Sequence, residues 1–389
     1  MIRGRLPWSG RWRLLVVAVS LALAAAVAVA WSGAPADAQE EAYPPLAPLP
    51  PVPEPPDNPT TPEKVELGKL LYFDPRMSGD GSMSCNSCHP ASTGWAAPAA
   101  ISFGPPGTSH WRNAMTVLNV GYYTKLNWDG AKKSIENQNA GAWGGAVAGN
   151  LDKALAEERL AQIPEYVRRF REVFGVEYPT WETALQAVAA YQRTLVTRNA
   201  PLQAYLEGDE NALSDAAKRG LELFNGKAGC LACHNGPLAS DDSYHNLGVP
   251  PNPEFQTSPL KQITFRFELA AKGVPEEVYR TATDDWGLYY VTKQKEDIGK
   301  FRTPSLWDVC YTAPYMHNGV FQTLEEVVAF YNAGGGDHPN KDPLMEPLGL
   351  TAQEQSDLVE LLQSFCGDPI TDEAPELPPY GPFPFPEEE

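Results

Sequence analysis

The chain has 389 residues, 38 of them proline, and a formal charge of −19. An acidic excess on that scale repels nucleic acid and anionic lipid, so neither is an expected partner. It leaves two readings open: attraction of a basic protein, such as a cationic cytochrome, and plain solubility.

The N-terminus reads as a secretory signal over residues 1–38. Arg3, Arg5, Arg11 and Arg13 form a basic n-region, and Leu14 to Ala30 is apolar. Ala36-Asp37-Ala38 fits the small-x-small cleavage rule, so the exported chain starts at Gln39. An uncleaved anchor is the rival reading of the apolar run. No later segment is long and apolar enough to span a bilayer, so no stable membrane insertion is expected after cleavage. The first 38 residues carry four Arg and one Asp, which leaves the remainder near −22.

Residues 39–63 form a Pro-rich leader, including Tyr43-Pro44-Pro45 and Pro50-Pro51-Val52-Pro53, expected to be an extended tether with no core of its own. A short helix follows over Glu63 to Phe73, ending before Asp74-Pro75. Cys85-Asn86-Ser87-Cys88-His89 comes next. Two amphipathic helices are expected over Leu151 to Phe174 and Trp181 to Leu206, with Leu185, Val188 and Leu195 on one stripe of the second. Ser214 caps a helix running to Phe224, just before Cys230-Leu231-Ala232-Cys233-His234. Thr323-Leu324-Glu325-Glu326 is a capping box opening a helix through Tyr331, closed by Gly334-Gly335-Gly336. Thr351-Ala352-Gln353-Glu354 opens another, to about Phe365. Residues 372–389 are a Pro- and Glu-rich tail, expected to be disordered. Strand signals are few and short, so the chain reads as mostly α with long loops.

The two C-x-x-C-H segments are attachment sites for c-type haem. Two thiols three positions apart each form a thioether to one porphyrin edge, and the next histidine binds the iron. Zinc half-sites and thiol redox pairs are the other readings. A zinc site needs four ligands from matched halves, and a redox pair has no use for the histidine. Two covalently bound haems are therefore expected, through Cys85, Cys88, Cys230 and Cys233, with His89 and His234 on the irons. Export fits, because covalent haem attachment takes place outside the cytoplasm, and points to the periplasm of a Gram-negative bacterium. Cys310 and Cys366 remain; a disulfide and two buried free thiols both fit the sequence.

Residues 64 to 368 resemble the bacterial dihaem cytochrome c peroxidases and their MauG-like relatives. The resemblance is carried by Leu67-Gly68-Lys69-Leu70-Leu71-Tyr72-Phe73-Asp74-Pro75-Arg76, Arg112-Asn113-Ala114-Met115-Thr116-Val117-Leu118-Asn119 and Trp128-Asp129-Gly130. Tyr244-His245-Asn246-Leu247-Gly248-Val249-Pro250, Thr303-Pro304-Ser305-Leu306 and Thr312-Ala313-Pro314-Tyr315-Met316-His317-Asn318-Gly319 complete it. It implies two cytochrome-c-like domains packed together, one haem in each: residues 64–208 and 209–371. It implies a calcium ion between them, held by Asn113, Thr312 and Pro314, a donor set that suits a hard cation. It maps the bridging tryptophan of the family to Trp128, which taken alone also reads as a buried packing residue. His245 and His317 are expected in the haem pockets, not on iron, and His338 in solvent. Relatives often form homodimers; no residue here decides it.

Two departures matter. Peroxidases of this family place a Met fourteen residues after the His of the Pro-Tyr-x-His segment; here that position is Tyr331, as in MauG-like relatives. Tyr331 is expected as the distal ligand of the second haem, where a tyrosinate favours ferric and high-valent iron. Its place on a stripe with Leu324 and Val328 also suits a core residue, and Met345 is an alternative ligand. The family's distal Glu falls twenty residues after Trp128, at Ala148. Gln138 keeps a family position, but an amide is no base near neutral pH. His110, near the distal loop, is a candidate for iron binding, proton transfer or packing.

The resemblance implies an oxidoreductase that uses hydrogen peroxide to oxidise a protein: a small cytochrome or cupredoxin, or a side chain of a protein substrate. Trp128, Gln138 and His110 are its expected catalytic residues. A non-enzymatic dihaem electron carrier is the alternative, favoured by the loss at Ala148.

Overall fold

The structure, a computed structural model, describes residues 43–382. The expected signal segment, the start of the leader and the last residues of the tail lie outside the described residues. The protein is mostly helical. In the first half, α1 spans Pro62–Phe73, α2 Cys85–Cys88, α3 Ile135–Gly144, α4 Lys153–Ala161, α5 Pro164–Phe174 and α6 Trp181–Arg193. In the second, α7 spans Pro201–Leu206, α8 Asp215–Asn225, α9 Pro253–Thr257, α10 Pro259–Ala271, α11 Glu276–Tyr279, α12 Tyr289–Thr292, α13 Leu324–Asn332 and α14 Ala352–Ser364. Two short strands, β1 (Tyr244–His245) and β2 (Phe301–Arg302), pair antiparallel with Tyr244 opposite Arg302. Among the described residues no helix is long and apolar enough to cross a membrane.

The caps fall where local chemistry puts them. Ser214 accepts from the Ala217 amide, and Thr323 and Thr351 close capping boxes with Glu326 and Glu354. Two expected long helices are each divided. Residues 151–174 break at Gln162-Ile163, because Pro164 has no amide to continue α4 and starts α5 at its first position. Residues 181–206 also divide: α6 ends at Arg193, capped by Thr194, and Pro201 opens α7 at its first position.

Both halves share one packing device. α1 crosses α6, and α8 crosses α14. At each crossing a glycine lets the backbones meet: a Cβ on Gly68 would collide with the Ala187 carbonyl, and one on Gly220 with the Asp357 carbonyl. The obstacle is backbone in both cases and cannot swing aside. Gly68→Ala and Gly220→Ala are each expected to destabilise the protein by about 1–3 kcal/mol or more, read as a fall in the urea midpoint at unchanged slope.

The first core gathers Leu67, Leu71, Tyr72, Trp95, Phe170, Val188 and Tyr191; the second gathers Phe224, Trp307, Leu324, Val328, Leu361 and Phe365. A third joins the halves: Ile101, Trp111 and Val147 pack against Phe255, Phe265, Leu269 and Tyr290.

The two ends depart from expectation. The leader is extended but not a free tether. Leu46 is buried in the second core, Leu49 donates its amide to Gln203 Oε1 (2.9 Å), and Tyr122 donates to the Pro50 carbonyl (2.8 Å). Buried Asn58 then donates to Glu136 and accepts from Arg193 through its carbonyl (2.7 Å). The described part of the tail is likewise docked, not disordered. Trp95 Nε1 donates to the Ile370 carbonyl (2.8 Å), Tyr191 to Asp372 (2.8 Å), and Gly381 to the Gln162 carbonyl (2.9 Å). Ile370 and Leu377 pack on the first core, and Tyr380 lies under the Arg76 guanidinium at 5.0 Å. Scattered apolar residues supply the burial, and the prolines lower the entropy lost on docking.

Candidate functional site

Each C-x-x-C-H segment folds as one tight turn. α2 is a single turn with Cys85 at its start and Cys88 at its end, and the His89 amide donates to the Cys85 carbonyl (2.9 Å). Cys230 to Ala232 makes a single 3-10 turn, and the His234 amide donates to the Cys230 carbonyl (2.9 Å). The imidazoles are oriented alike. His89 Nδ1 lies 3.2 Å from the Trp95 carbonyl and His234 Nδ1 3.0 Å from the Ala239 carbonyl. A carbonyl only accepts, so the proton sits on Nδ1 and the Nε2 lone pair is left for a metal. Burial lowers both imidazole pKa values and keeps them neutral, the ligating form.

The four motif cysteines are free, whereas Cys310 and Cys366 form a disulfide between the turn after Asp308 and the end of α14. Burial pushes the Cys85 and Cys230 thiols up to about 12 and Cys88 to about 11. A thiol redox pair works with a depressed pKa, which burial opposes at Cys85, Cys88 and Cys230. Cys233, Asp241 and His245 bring metal-ligand atoms within 4.8 Å of one another. Both His245 nitrogens are already taken, by Asp241 (2.9 Å) and Asp342 (2.6 Å), so that group does not make a zinc half-site. Asp241, and Cys233 while its sulfur is free, raise His245 to about 11.

A cavity of about 780 Å³ runs between the two motifs and is lined by Cys85, Cys88 and His89 together with Cys230, Cys233 and His234. Its room, its apolar walls and its paired thiols and imidazoles fit two haem groups. Trp128 faces this cavity and is fixed at both ends. Its Nε1 donates to the Asn113 carbonyl (2.9 Å), and its own carbonyl accepts from the Arg302 amide (2.8 Å). Its ring meets His317 edge-on at 6.4 Å, and His317 stacks on Phe301 at 3.6 Å. Burial drives His317 down to about 4, so it is neutral.

Beside Trp128, Arg112 is buried between two carboxylates. Nη1 donates to Asp129 (2.8 Å), and Nε and Nη2 donate to Asp285. Burial opposes all three charges, but the pairing outweighs it: both carboxyls stay below their usual range and the guanidinium above its own. Asn113, Thr312 and Pro314 line the same cavity, and the Asn113 amide donates to the His317 carbonyl (2.8 Å), joining the two segments. The Asn113 side-chain NH2 is spent on the Ala97 and Ala99 carbonyls, which leaves Oδ1 as its acceptor.

Tyr331 also faces the cavity, one turn past Val328, which lines it too and packs with Leu324 in the second core. Burial and the nearby Cys233 and Cys230 raise its phenol above the ordinary value. Met345 lines the cavity too. His338, expected in solvent, instead lines it and accepts from the Asn340 amide (3.0 Å).

Gln138, His110 and Ala148 all reach the cavity. His110 is a poor base there. Its ring stacks on Trp111 (4.4 Å between centres), Nδ1 accepts from the Arg112 amide (3.3 Å), and burial with Arg112 drives it down to about 3. Glu268, Lys272 and Asp284 share the lining with other charged residues the sequence did not flag, among them Lys132, Asp285, Arg302 and Glu346. No motif marks them. For Glu268 and Lys272 the one available signal is their i, i+4 spacing with Thr264 along α10.

Residues 62–211 match the family described as di-haem cytochrome c peroxidase. Cytochrome-c peroxidase IdrP1 of Pseudomonas sp. (strain SCT) is 52% identical over 350 residues, 89% of this chain and 92% of its own. The methylamine utilization protein MauG of Methylorubrum extorquens is 35% identical over 319 residues, 81% of this chain and 82% of its own. Among solved structures, a MauG-like protein associated with microbial copper homeostasis superposes with a TM-score of 0.69 at 29% identity, covering 86% of this chain and 96% of its own.

Proposed function

Because the chain belongs to the di-haem cytochrome c peroxidase and MauG family and is a haem peroxidase-type oxidoreductase, we propose that it reduces hydrogen peroxide with electrons from a protein donor in the periplasm. The observation that carries this reading is the shared cavity, with both motifs on its wall and Trp128 clamped between the halves.

Cys85 with Cys88, and Cys230 with Cys233, hold one haem each by thioether bonds. His89 and His234 offer Nε2 to the irons, each steadied by its carbonyl partner. When bound, the haems would supply the redox chemistry of peroxide reduction. Trp128 relays charge between the two sites. Tyr331 offers its phenolate to the second iron, against the cost that burial places on that charge. Asn113 Oδ1, with the Thr312 and Pro314 carbonyls, would hold a calcium ion, whose charge those oxygen donors suit. The donor is a small cytochrome or cupredoxin, or a partner side chain; the acidic surface suits a basic partner.

Purified protein should carry two haems by mass. One equivalent of peroxide should change its absorption spectrum on mixing, and two reduced donor cytochromes should be oxidised per peroxide. Tyr331→Phe should shift the ferric resonance spectrum of one haem only. Two six-coordinate ferric haems that ignore stoichiometric peroxide would make the protein an electron carrier instead.

A further inference from the structure

Breaking the peroxide O–O bond needs a group that moves a proton from one oxygen to the other. The obvious groups around the first motif are poorly suited. Ala148 offers a methyl, Gln138 an amide, and His110 a ring whose Nδ1 is engaged and whose basicity is lost. Asp129 and Asp285 are both bound to Arg112.

Another element reaches the same wall. α10 comes from the second half of the chain, and its Phe265 and Leu269 share the third core with Ile101, Trp111 and Val147, the neighbour of Ala148. Thr264 pins the helix to the loop before His110 by donating to the Ser109 carbonyl (2.6 Å). Thr264, Glu268 and Lys272 follow at i, i+4 and i+8 and so share one face. Glu268 and Lys272 both line the cavity, and Lys272 Nζ stands 5.4 Å from the Trp111 ring centre. The charges acting on Lys272 are those of Arg112, Asp129, Glu268, Asp285 and Lys293, and His110 is neutral.

We propose that Glu268, with Lys272 one turn on, is the proton-transfer group for peroxide at the first haem, delivered from the opposite half of the chain in place of the carboxylate missing at Ala148. The proposal rests on the peroxidase reading above. The Glu268 carboxylate takes a proton from one peroxide oxygen and returns it to the other, which leaves as water as the O–O bond breaks. The whole reaction is H2O2 + 2 e− + 2 H+ → 2 H2O. The donor protein supplies the electrons, solvent supplies the protons, and Glu268 ends unchanged. Lys272 steadies the carboxylate between the two transfers.

The test uses holoprotein with both haems verified by mass. Glu268→Gln is expected to slow the peroxide-induced spectral change about 10²–10⁴-fold. Adding Ala148→Glu to that variant should recover at least tenfold. Cyanide gives a readout apart from turnover, because it arrives as HCN and binds ferric iron as the anion: its association should slow at least tenfold in Glu268→Gln and recover in the double variant. Unchanged rates in Glu268→Gln while wild type reacts with peroxide would overturn this proposal alone. So would a loss that appears in Asp284→Asn instead, since that carboxyl also lines the cavity and burial holds it at about 6. A wild type inert to peroxide would overturn the peroxidase reading and this proposal with it.

Discussion

Trp128→Phe is expected to cut donor-supported peroxide turnover roughly a hundredfold, about 2.7 kcal/mol of barrier, while the first reaction with peroxide stays near wild-type speed. The phenyl ring keeps the edge contact with His317 but loses the Nε1 bond to the Asn113 carbonyl. It is also far harder to oxidise than an indole. If the indole carries charge between the halves, that transfer slows and the chemistry at the peroxide site does not. Rapid-mixing spectra separate the two steps. Equal loss in both would make Trp128 a packing residue, and no loss in either would remove it from the electron path. A fall of 1–3 kcal/mol in stability is expected as well, because the Asn113 carbonyl loses its buried donor. Rates should therefore be compared well below the unfolding temperature.

Arg112→Ala is expected to destabilise the protein by about 3–5 kcal/mol, because it leaves two buried carboxylates without a counter-charge. Denaturant titration at neutral pH reads this directly. The pH dependence carries a sign. In the wild type Asp129 and Asp285 have depressed pKa values, so their contribution is present above the unfolded value of about 4 and disappears as pH falls through the folded values. In the variant the same burial favours the protonated acids. The gap between variant and wild type should narrow on acidification from pH 7 towards pH 4. Adding Asp129→Asn and Asp285→Asn to Arg112→Ala should recover part of the loss, since neutral amides cost less to bury. A gap independent of pH would mean that lost packing, not charge, sets the penalty.

What the sequence disclosed was local. The two haem motifs, the Ser214 cap and the capping boxes at Thr323 and Thr351 each depend on residues within a few positions, and the structure places them accordingly. The divisions before Pro164 and Pro201 were missed, because the apolar periodicity runs across both prolines. Gly68 and Gly220 stand in related settings, Gly68-Lys69-Leu70-Leu71-Tyr72-Phe73 and Gly220-Leu221-Glu222-Leu223-Phe224, and only the helix crossings reveal why both are glycine. Long-range placement was not legible. Nothing near Glu268 or Lys272 announces that α10 returns to a cavity begun more than a hundred residues earlier. Composition likewise made the leader and tail look idle, because a few apolar side chains among many prolines do not register in an average.

Those two ends have a further consequence. The leader closes over the later core and the tail over the earlier one, so neither half owns all of its own covering. A half expressed alone would lack the strap that seals it and would present raw apolar surface. Grafting one half onto another two-haem protein would fail for the same reason unless the opposite terminus travelled with it. The molecule is buckled by its extremities, and it must be engineered, trimmed or tagged as a closed loop.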